Sequence, residues 1–115
     1  MGSFIQRIKG AEVWTTSTAA EASKIARTVP CTFYSAVCNN SGAATAYFQV
    51  FDRATALAGG ETPTLPAIQV IAHGTASYDF YQGGRPMGTG VVVALSSTEL
   101  TYTAYANGFF DVGTR

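Results

Sequence analysis

The sequence carries little charge of either sign, because Lys and Arg together number seven, as do Asp and Glu, among 115 residues. The formal net charge is zero at pH 7, so the electrostatic signature of a nucleic-acid binder or an anionic-membrane binder is missing. Charged residues make up 12% of the chain and hydrophobic residues 47%, a balance that excludes intrinsic disorder. So little charge also predicts that part of the surface is buried against other subunits.

Residues suited to catalysis or metal binding are equally scarce, with one His and two Cys in the chain. General acid or base chemistry near neutral pH would have to use His73, whose place before Gly74 at the end of a predicted strand is typical of a structural histidine. A cysteine nucleophile would require Cys31 or Cys38 beside His73, and the spacing does not indicate this. The three residues form neither a CxxC pair nor an HExxH helix. We therefore predict no enzyme activity, no metal site and no cofactor.

Long hydrophobic runs are absent as well, so the sequence predicts no membrane span. Residues 1–14 lack the apolar core and the small-residue cleavage site of a signal peptide, and we expect neither export nor membrane anchoring. The glycine-rich stretch 83–90 lacks the Lys-Ser/Thr pair that ends a phosphate-binding loop. Turns explain the glycines of this stretch better than a phosphate-binding loop does.

The residues that are abundant indicate β structure. Thr, Tyr, Phe, Val and Gly recur in short blocks separated by turn clusters, a pattern typical of an all-β sandwich or barrel. We predict one domain over residues 1–115, folded as an antiparallel β-sandwich of jelly-roll or immunoglobulin-like type with seven to eight strands. Residues 1–11 are either an arm that packs on a neighbouring copy or an edge strand.

The clearest local pattern is a pair of alternating blocks at 32–39 and 45–53, separated by the turn cluster Asn39-Asn40-Ser41-Gly42. Two adjacent alternating blocks joined by such a turn predict a β-hairpin.

Four further segments have weaker patterns. Two prolines and Gly59-Gly60 predict a surface loop at 54–66, and the apolar run at 91–95 predicts the central buried strand. The alternating block 99–105, followed by Asn107-Gly108, predicts a closing hairpin. Residues 24–29 alternate as a strand but also fit a short helix, and the strand is slightly favoured.

The cysteines stand seven residues apart in one predicted strand. At roughly 3.3 Å per residue they would lie about 23 Å apart, on opposite faces, and could not bond to each other. Two buried reduced thiols are the favoured interpretation. An intermolecular disulfide through Cys31 or Cys38 remains an alternative.

Aromatic residues are spread along the predicted strands, and most are expected in the core. An exposed subset such as Tyr78, Tyr81 and Tyr105 would stack on sugars or anchor a protein interface, and the low charge favours the interface. A carbohydrate- or receptor-binding module, with Asp79 and Gln82 as polar partners, is the alternative function.

Taken in order, several segments resemble a family of small structural proteins and domains of tailed bacteriophages. The resemblance spans about residues 12 to 105. It lies in the strand pair 33–39 and 46–52, the loop ending in Thr62-Pro63, the strand 68–72 and the glycine-rich segment 84–96.

This resemblance implies a non-enzymatic virion component, made in the bacterial cytoplasm, that serves as capsid decoration, neck or collar, tail or fibre attachment. Its implied partners are other virion proteins of the capsid, portal, neck or tail, and copies of itself, with no nucleic acid and no membrane. A sandwich would use its edges, loop tips and arm for such contacts. The residues we expect at assembly contacts are Phe4, Ile5, Ile8, Trp14, Leu57, Leu65, Phe109 and Phe110.

Overall fold

A computed structural model describes residues 13–80 and 83–115 of the chain. Within these residues the secondary structure consists of strands, which in chain order are β1 (Val13–Thr16), β2 (Ser23–Arg27), β3 (Cys31–Asn40), β4 (Ala46–Phe51), β5 (Ile68–Val70), β6 (Thr75–Asp79), β7 (Arg85–Met87), β8 (Val91–Ser96) and β9 (Gly108–Thr114). No helix in this part of the chain is long and apolar enough to cross a membrane.

The described strands form two antiparallel sheets. One, called here the front sheet, has the order β1-β9-β3-β6, with the short β7 pairing the beginning of β3 beyond the end of β6. The other, called the back sheet, has the order β2-β8-β4-β5. The prediction of an all-β antiparallel sandwich is confirmed.

The order of the strands decides between the two predicted sandwich types. In the immunoglobulin arrangement the first two strands belong to one sheet, whereas here β1 and β2 lie in different sheets. Apart from the three-residue β7, the chain crosses between the sheets at every connection except that from β4 to β5. These eight strands have the topology of a jelly roll. The described residues contain nine strands rather than seven or eight, because β7 lies in the segment expected to be only a turn.

The core lies between the sheets, and β8 runs through the middle of the back sheet. All six residues of β8 are buried, which confirms the prediction of a central buried strand at 91–95. Val91, Val93 and Leu95 point into the main core, where they join Phe48 of the neighbouring β4 and Phe33 of β3 in the facing sheet. Residues 23–27 form an edge strand beside β8, as the favoured interpretation of that segment predicted.

A β-bulge in β3 corrects the expected orientation of the cysteines. Phe33 and Ser35 pair with the consecutive residues Thr114 and Gly113, so one extra residue interrupts the alternation of β3. Before the bulge the odd-numbered residues Cys31 and Phe33 face the core, and after it the even-numbered residues Ala36 and Cys38 do. Cys38 is therefore fully buried in the core, and the half-buried Cys31 packs against the same core, rather than on opposite faces.

The predicted hairpin of β3 and β4 is wrong, because the two strands belong to different sheets. Asn40, which is buried, directs the crossing: its side-chain amide donates to the carbonyls of Ala44, Val70 and Ile71. Its side-chain oxygen accepts the N–H of Gly42 at 2.9 Å. This turn therefore leads the chain across the sandwich to the end of β5 instead of back along β3.

The segment 99–105 is not the strand that its alternation predicted, apart from one isolated bridge at Ala104. It lies over the outer side of the back sheet. The buried amide of Gln49 on β4 donates to the carbonyls of Thr98, Glu99 and Thr101 at 3.0, 3.1 and 3.0 Å. The last strand of the protein is β9, which begins at Gly108.

The proline-containing segment after β4 covers the same side of the back sheet, and it contains no strand, as expected. It is bonded to the 97–105 segment, because Gly60 donates its N–H to the carbonyl of Tyr102 and Glu61 accepts the N–H of Tyr102, each at 2.8 Å. Tyr102 and Leu57 pack on Phe51 to form a second, smaller apolar cluster.

The carboxylate of Asp52, just after β4, accepts the backbone N–H groups of Gly88, Thr89 and Gly90 at 2.9, 2.8 and 3.2 Å. Partial desolvation opposes ionisation, but these three hydrogen bonds and the nearby Arg85 together hold the pKa of Asp52 below its usual value. A side chain on Gly90 would collide with the carbonyls of Arg27 and Arg53. The glycines of this segment therefore form a turn, and the Asp52 carboxylate stabilises that turn through its hydrogen bonds.

We expect Asp52→Asn to lower the free energy of unfolding at pH 7 by about 1 kcal/mol, because it weakens three hydrogen bonds to a charged acceptor. Since the folded-state pKa is lowered, the carboxylate stabilises the fold above its ordinary pKa of 3.8, and this contribution disappears as the pH falls through the folded-state value. Urea unfolding from pH 7 to pH 2 measures the difference. Glu99→Gln, at an exposed carboxylate, is the control, and a constant difference at all pH values would contradict the assignment.

We expect Gln49→Leu to destabilise the protein by about 2 kcal/mol, because three carbonyls of the covering segment lose a buried donor. Gln49→Glu should be worse, since a carboxylate would face those oxygens. Gln69→Leu, at an exposed position of the neighbouring β5, is the matched control. Urea unfolding gives the stabilities, and hydrogen exchange at the Tyr102 amide reports release of the segment. Equal effects at positions 49 and 69 would disprove this role of Gln49.

Candidate interaction surface

The outer sides of the two sheets differ. The back sheet turns Gln49, Phe51, Val92 and Ala94 outward, and all four are buried because the segments around Leu57 and Tyr102 cover them. No described segment covers the front sheet in this way, and it leaves exposed side chains along β9, β3 and β6. This outer side of β1, β9, β3 and β6 is called here the bare face.

The strand register arranges the bare face in three rows. Its positions are Trp14, Gly113, Ser35 and Asp79 in the first row, Thr16, Asp111, Val37 and Ser77 in the second, and Phe109, Asn39 and Thr75 in the third. Rows two residues apart are separated by about 6.8 Å and neighbouring strands by about 4.8 Å. The face is therefore a nearly continuous platform of small, polar and apolar side chains.

Two apolar side chains lie beside each other near one end of this platform. Val37 and Phe109 occupy diagonal positions on β3 and β9 and are 38% and 37% exposed. They border a shallow depression of about 130 Å³, whose lining also includes Thr16, Asn39 and Asp111. Pockets for drug-sized ligands occupy roughly 300–1,000 Å³, so this depression has room for one side chain rather than for a small molecule.

The opposite end of the face is closed by the indole of Trp14. This half-buried ring lies over Gly113, where an added side chain would come within 2.7 Å of it. Glycine at this position therefore leaves room for the indole beside β9. The ring therefore forms part of the surface instead of standing out from it.

The charges of the bare face are of one sign. Asp111 and Asp79 are its acids, and β1, β9, β3 and β6 contain no lysine or arginine. Thr16 donates its hydroxyl to Asp111 at 2.7 Å, which fixes this carboxylate beside the depression. The face is thus weakly acidic and largely uncharged.

A second concave region lies on the other side of the molecule. Residues 62–67 and Glu99-Leu100 line a groove of about 310 Å³, and the side chain of Leu100 is 76% exposed. The groove lies between the two segments that cover the back sheet. Its lining is mostly apolar, with Glu99 as its charged residue.

The structure divides the residues expected at assembly contacts. Trp14 and Phe109 lie on the bare face, whereas Phe4, Ile5 and Ile8 lie outside the described residues. The expectation is corrected for Phe110 and Leu65, which are buried in the main core, while the half-buried Leu57 belongs to the segment that covers the back sheet. Sequence reasoning missed Val37 and Asp111, although the alternation of β9 places Asp111 on the same side as Phe109.

The hypothesis of sugar stacking requires exposed tyrosine rings, and the described tyrosines considered for it are packed within the protein instead. Tyr78 packs against Phe48 with ring centroids 5.2 Å apart, and its hydroxyl donates to the carbonyl of Pro66. Burial raises the pKa of Tyr78 to about 12. Tyr105 is half-buried, with its hydroxyl accepting the Ala44 N–H, while Tyr81 and Gln82 lie outside the described residues. Tyr78 and Tyr105 therefore do not form an exposed aromatic platform.

The environment of the two thiols is unlike that of a catalytic cysteine. Burial raises the pKa of Cys38 to about 12, and it also raises the pKa of Cys31, where Arg27 opposes it in part. A nucleophilic cysteine requires the opposite shift. His73 is exposed in the turn between β5 and β6. Within residues 13–80 and 83–115, no cluster of His, Cys, Asp and Glu has the arrangement of a metal site.

We expect a thiol reagent at neutral pH to modify Cys31 slowly and to leave Cys38 unmodified in the folded protein, because Cys38 is fully buried and its thiol is protonated. Cys31→Ser should therefore remain unlabelled until urea unfolds it. Mass spectrometry after timed alkylation measures both rates. Fast labelling at Cys38, or a disulfide-linked dimer formed through it, would contradict its burial.

Comparison with known proteins gives one structural likeness. The chain matches no protein-family model and no curated protein sequence. The coat protein of Tobacco streak virus, a solved structure, is similar to it with 12% identity and a TM-score of 0.46, over 96% of this chain and 90% of that chain.

Proposed function

We propose that this protein is a non-enzymatic structural component of a virion that assembles through repeated protein–protein contacts. The observation that carries the proposal is the bare face. The centre of one sheet, on β4 and β8, is covered by the chain's own segments, whereas the centre of the other presents exposed Val37 and Phe109 on a surface with few charges. Interface cores are depleted in charged residues and enriched in aromatic ones.

The fold and the sequence patterns add separate support. The jelly-roll topology occurs in viral capsid proteins, but also in lectins and cupins, so the fold alone does not assign a function. The resemblance to small structural proteins of tailed bacteriophages favours the virion among these classes. On that ground we propose a place in the capsid decoration, neck, collar, tail or fibre of such a phage, with synthesis in the bacterial cytoplasm.

The partners follow from this proposal. Copies of the same chain, and other virion proteins of the capsid, portal, neck or tail, would cover the bare face. The total charge of the chain is zero, which does not favour nucleic acid as a partner. A carbohydrate ligand is less favoured than a protein, because Tyr78 and Tyr105 use their hydroxyls inside the molecule.

Light scattering coupled to size-exclusion chromatography tests self-association across a range of protein concentrations. We expect a defined oligomer of the 12.0 kDa chain, because closed symmetric assemblies are the usual outcome of one repeated contact. The oligomer should persist in reducing agent, because the proposed contact is the bare face, whereas both thiols lie on the core side of β3. A monomer at every concentration would contradict self-assembly.

A matched pair of substitutions then tests the surface. Val37 and Val29 are both exposed valines, 38% and 48%, but Val29 lies in the loop between β2 and β3. We expect Val37→Asp to weaken association about tenfold, or about 1.4 kcal/mol, and Val29→Asp to have no effect. Urea unfolding verifies that both variants fold, and Phe109→Ser provides a second change on the face. Equal effects at positions 37 and 29 would exclude the bare face as the contact.

A further inference from the structure

We propose that β6 of one copy pairs antiparallel with β6 of a second copy, about a two-fold axis at Ser77, so that the two front sheets join edge to edge. This inference rests on the assembly role proposed above, and it adds a contact that is separate from the bare face. In the joined sheet the bare faces of the two copies lie side by side as one wider surface.

The outer edge of β6 has backbone groups that can pair with a further strand. At one end of the β3–β6 ladder Asn40 donates its N–H to the carbonyl of Gly74, and at the other end Phe80 donates to the carbonyl of Tyr34. Hydrogen-bonded and non-bonded positions alternate along an antiparallel pair, so the even-numbered residues of β6 bond to β3. Ser77 therefore directs its N–H and its carbonyl away from β3, toward an edge that pairs with no other described strand.

Two of the other sheet edges carry features that oppose such pairing. β2 contains Lys24 and has an irregular register between Ile25 and Arg27, and β5 has three residues. Lysines, bulges and short strands are the means by which natural sheets keep their edges from associating. β6 has five residues without lysine, arginine or proline, and its register with β3 is regular.

Pairing about Ser77 also fits the side chains of β6 to one another. Ser77 lies opposite its own copy, and on the core side Ala76 lies opposite Tyr78 of the second copy, so a small residue faces a large ring. Asp79 is the one charged residue of β6, and it lies opposite Thr75. This register therefore places no like charges opposite each other, which would destabilise a strand pair.

The position of Ile71 supports the same register. This side chain is 65% exposed, and it lies beside Gly74, where an added Cβ would come within 2.7 Å of it. Pairing about Ser77 places Gly74 opposite Phe80 of the second copy. Both positions face the core side of the sheet, as Tyr78 and Phe80 pack against the main core. Ile71 thus meets the Phe80 ring at each end of the ladder, and its apolar surface leaves water there.

Disulfide trapping in a Cys31→Ser background tests the register with full-length protein. Opposite hydrogen-bonded residues of an antiparallel pair have Cα atoms about 5.5 Å apart, which suits a disulfide. The two copies of Thr75 would be about 14 Å apart, at roughly 3.4 Å per residue. We expect Ser77→Cys to form a linked dimer under mild oxidation at least about tenfold faster than Thr75→Cys or Ser23→Cys, as measured by mass spectrometry of the linked peptides.

A matched pair of proline substitutions tests the backbone contact. Leu95 donates its N–H to the carbonyl of Ala22, so by the same alternation Ser23 on β2 also directs its N–H away from its neighbouring strand. Ser77→Pro and Ser23→Pro each remove an outward N–H and keep the hydrogen bonds within the chain. We expect Ser77→Pro to raise the dissociation constant of the dimer at least about tenfold and Ser23→Pro to leave it unchanged. Analytical ultracentrifugation measures the constants, and urea unfolding verifies that both variants fold.

A second matched pair tests the apolar contact at the ends of the ladder. Ile71 and Leu100 are both strongly exposed, 65% and 76%, but Leu100 lies on the other side of the molecule. We expect Ile71→Asp to raise the dissociation constant about tenfold, because a carboxylate would have to lose water against the Phe80 ring. Leu100→Asp should have no effect.

Three results would overturn the edge contact: equal linking at positions 77 and 75, equal effects of the two prolines, or equal effects at positions 71 and 100. If light scattering still finds an oligomer in any of these cases, the assembly role stands and only the pairing of β6 fails. A monomer at every concentration contradicts both proposals.

Discussion

The outer side of the back sheet is the constraint on which the surface of this protein depends. Phe51, Val92 and Ala94 point outward from that sheet, and they would lie in water if the chain did not cover them. The Gln49 amide holds the covering segment through three carbonyls, and Tyr102 supplies its apolar contact. The two long connections, from β4 to β5 and from β8 to β9, therefore both cover the same side of the sandwich. The front sheet has no such cover among the described residues, and side chains on its outer side remain exposed.

Most of the fold could be predicted from local pattern. Alternating blocks identified β3 and β4, and an unbroken apolar run identified β8, because burial on both faces requires such a run in a central strand. The connections could not be predicted in this way. Two alternating blocks joined by a turn look the same whether they pair in one sheet or cross between two, and the buried side chain of Asn40 decides for the crossing. The block 99–105 alternates, yet its carbonyls bind Gln49, a partner about fifty residues earlier in the chain.

The candidate surface was less predictable, because it depends on single-residue shifts. The bulge between Phe33 and Ser35 changes which alternate residues of β3 face the core. This change places Cys38 in the core and Val37 on the outer side. Phe109 and Phe110 are neighbours of the same type, but β9 turns one outward and buries the other. The low charge predicts that some surface is buried against other subunits, but it does not say which residues form that surface. The register of the strands shows which residues lie on the bare face.

The central claim is that the bare face of the front sheet is the contact surface. Hydroxyl-radical footprinting across the association transition tests it most directly, with Phe109 on that face and Leu100 on the other side of the molecule as internal reporters. The account predicts that the oxidation rate of Phe109 falls as copies associate while that of Leu100 is unchanged. A fall at Leu100 with no change at Phe109 would contradict the account.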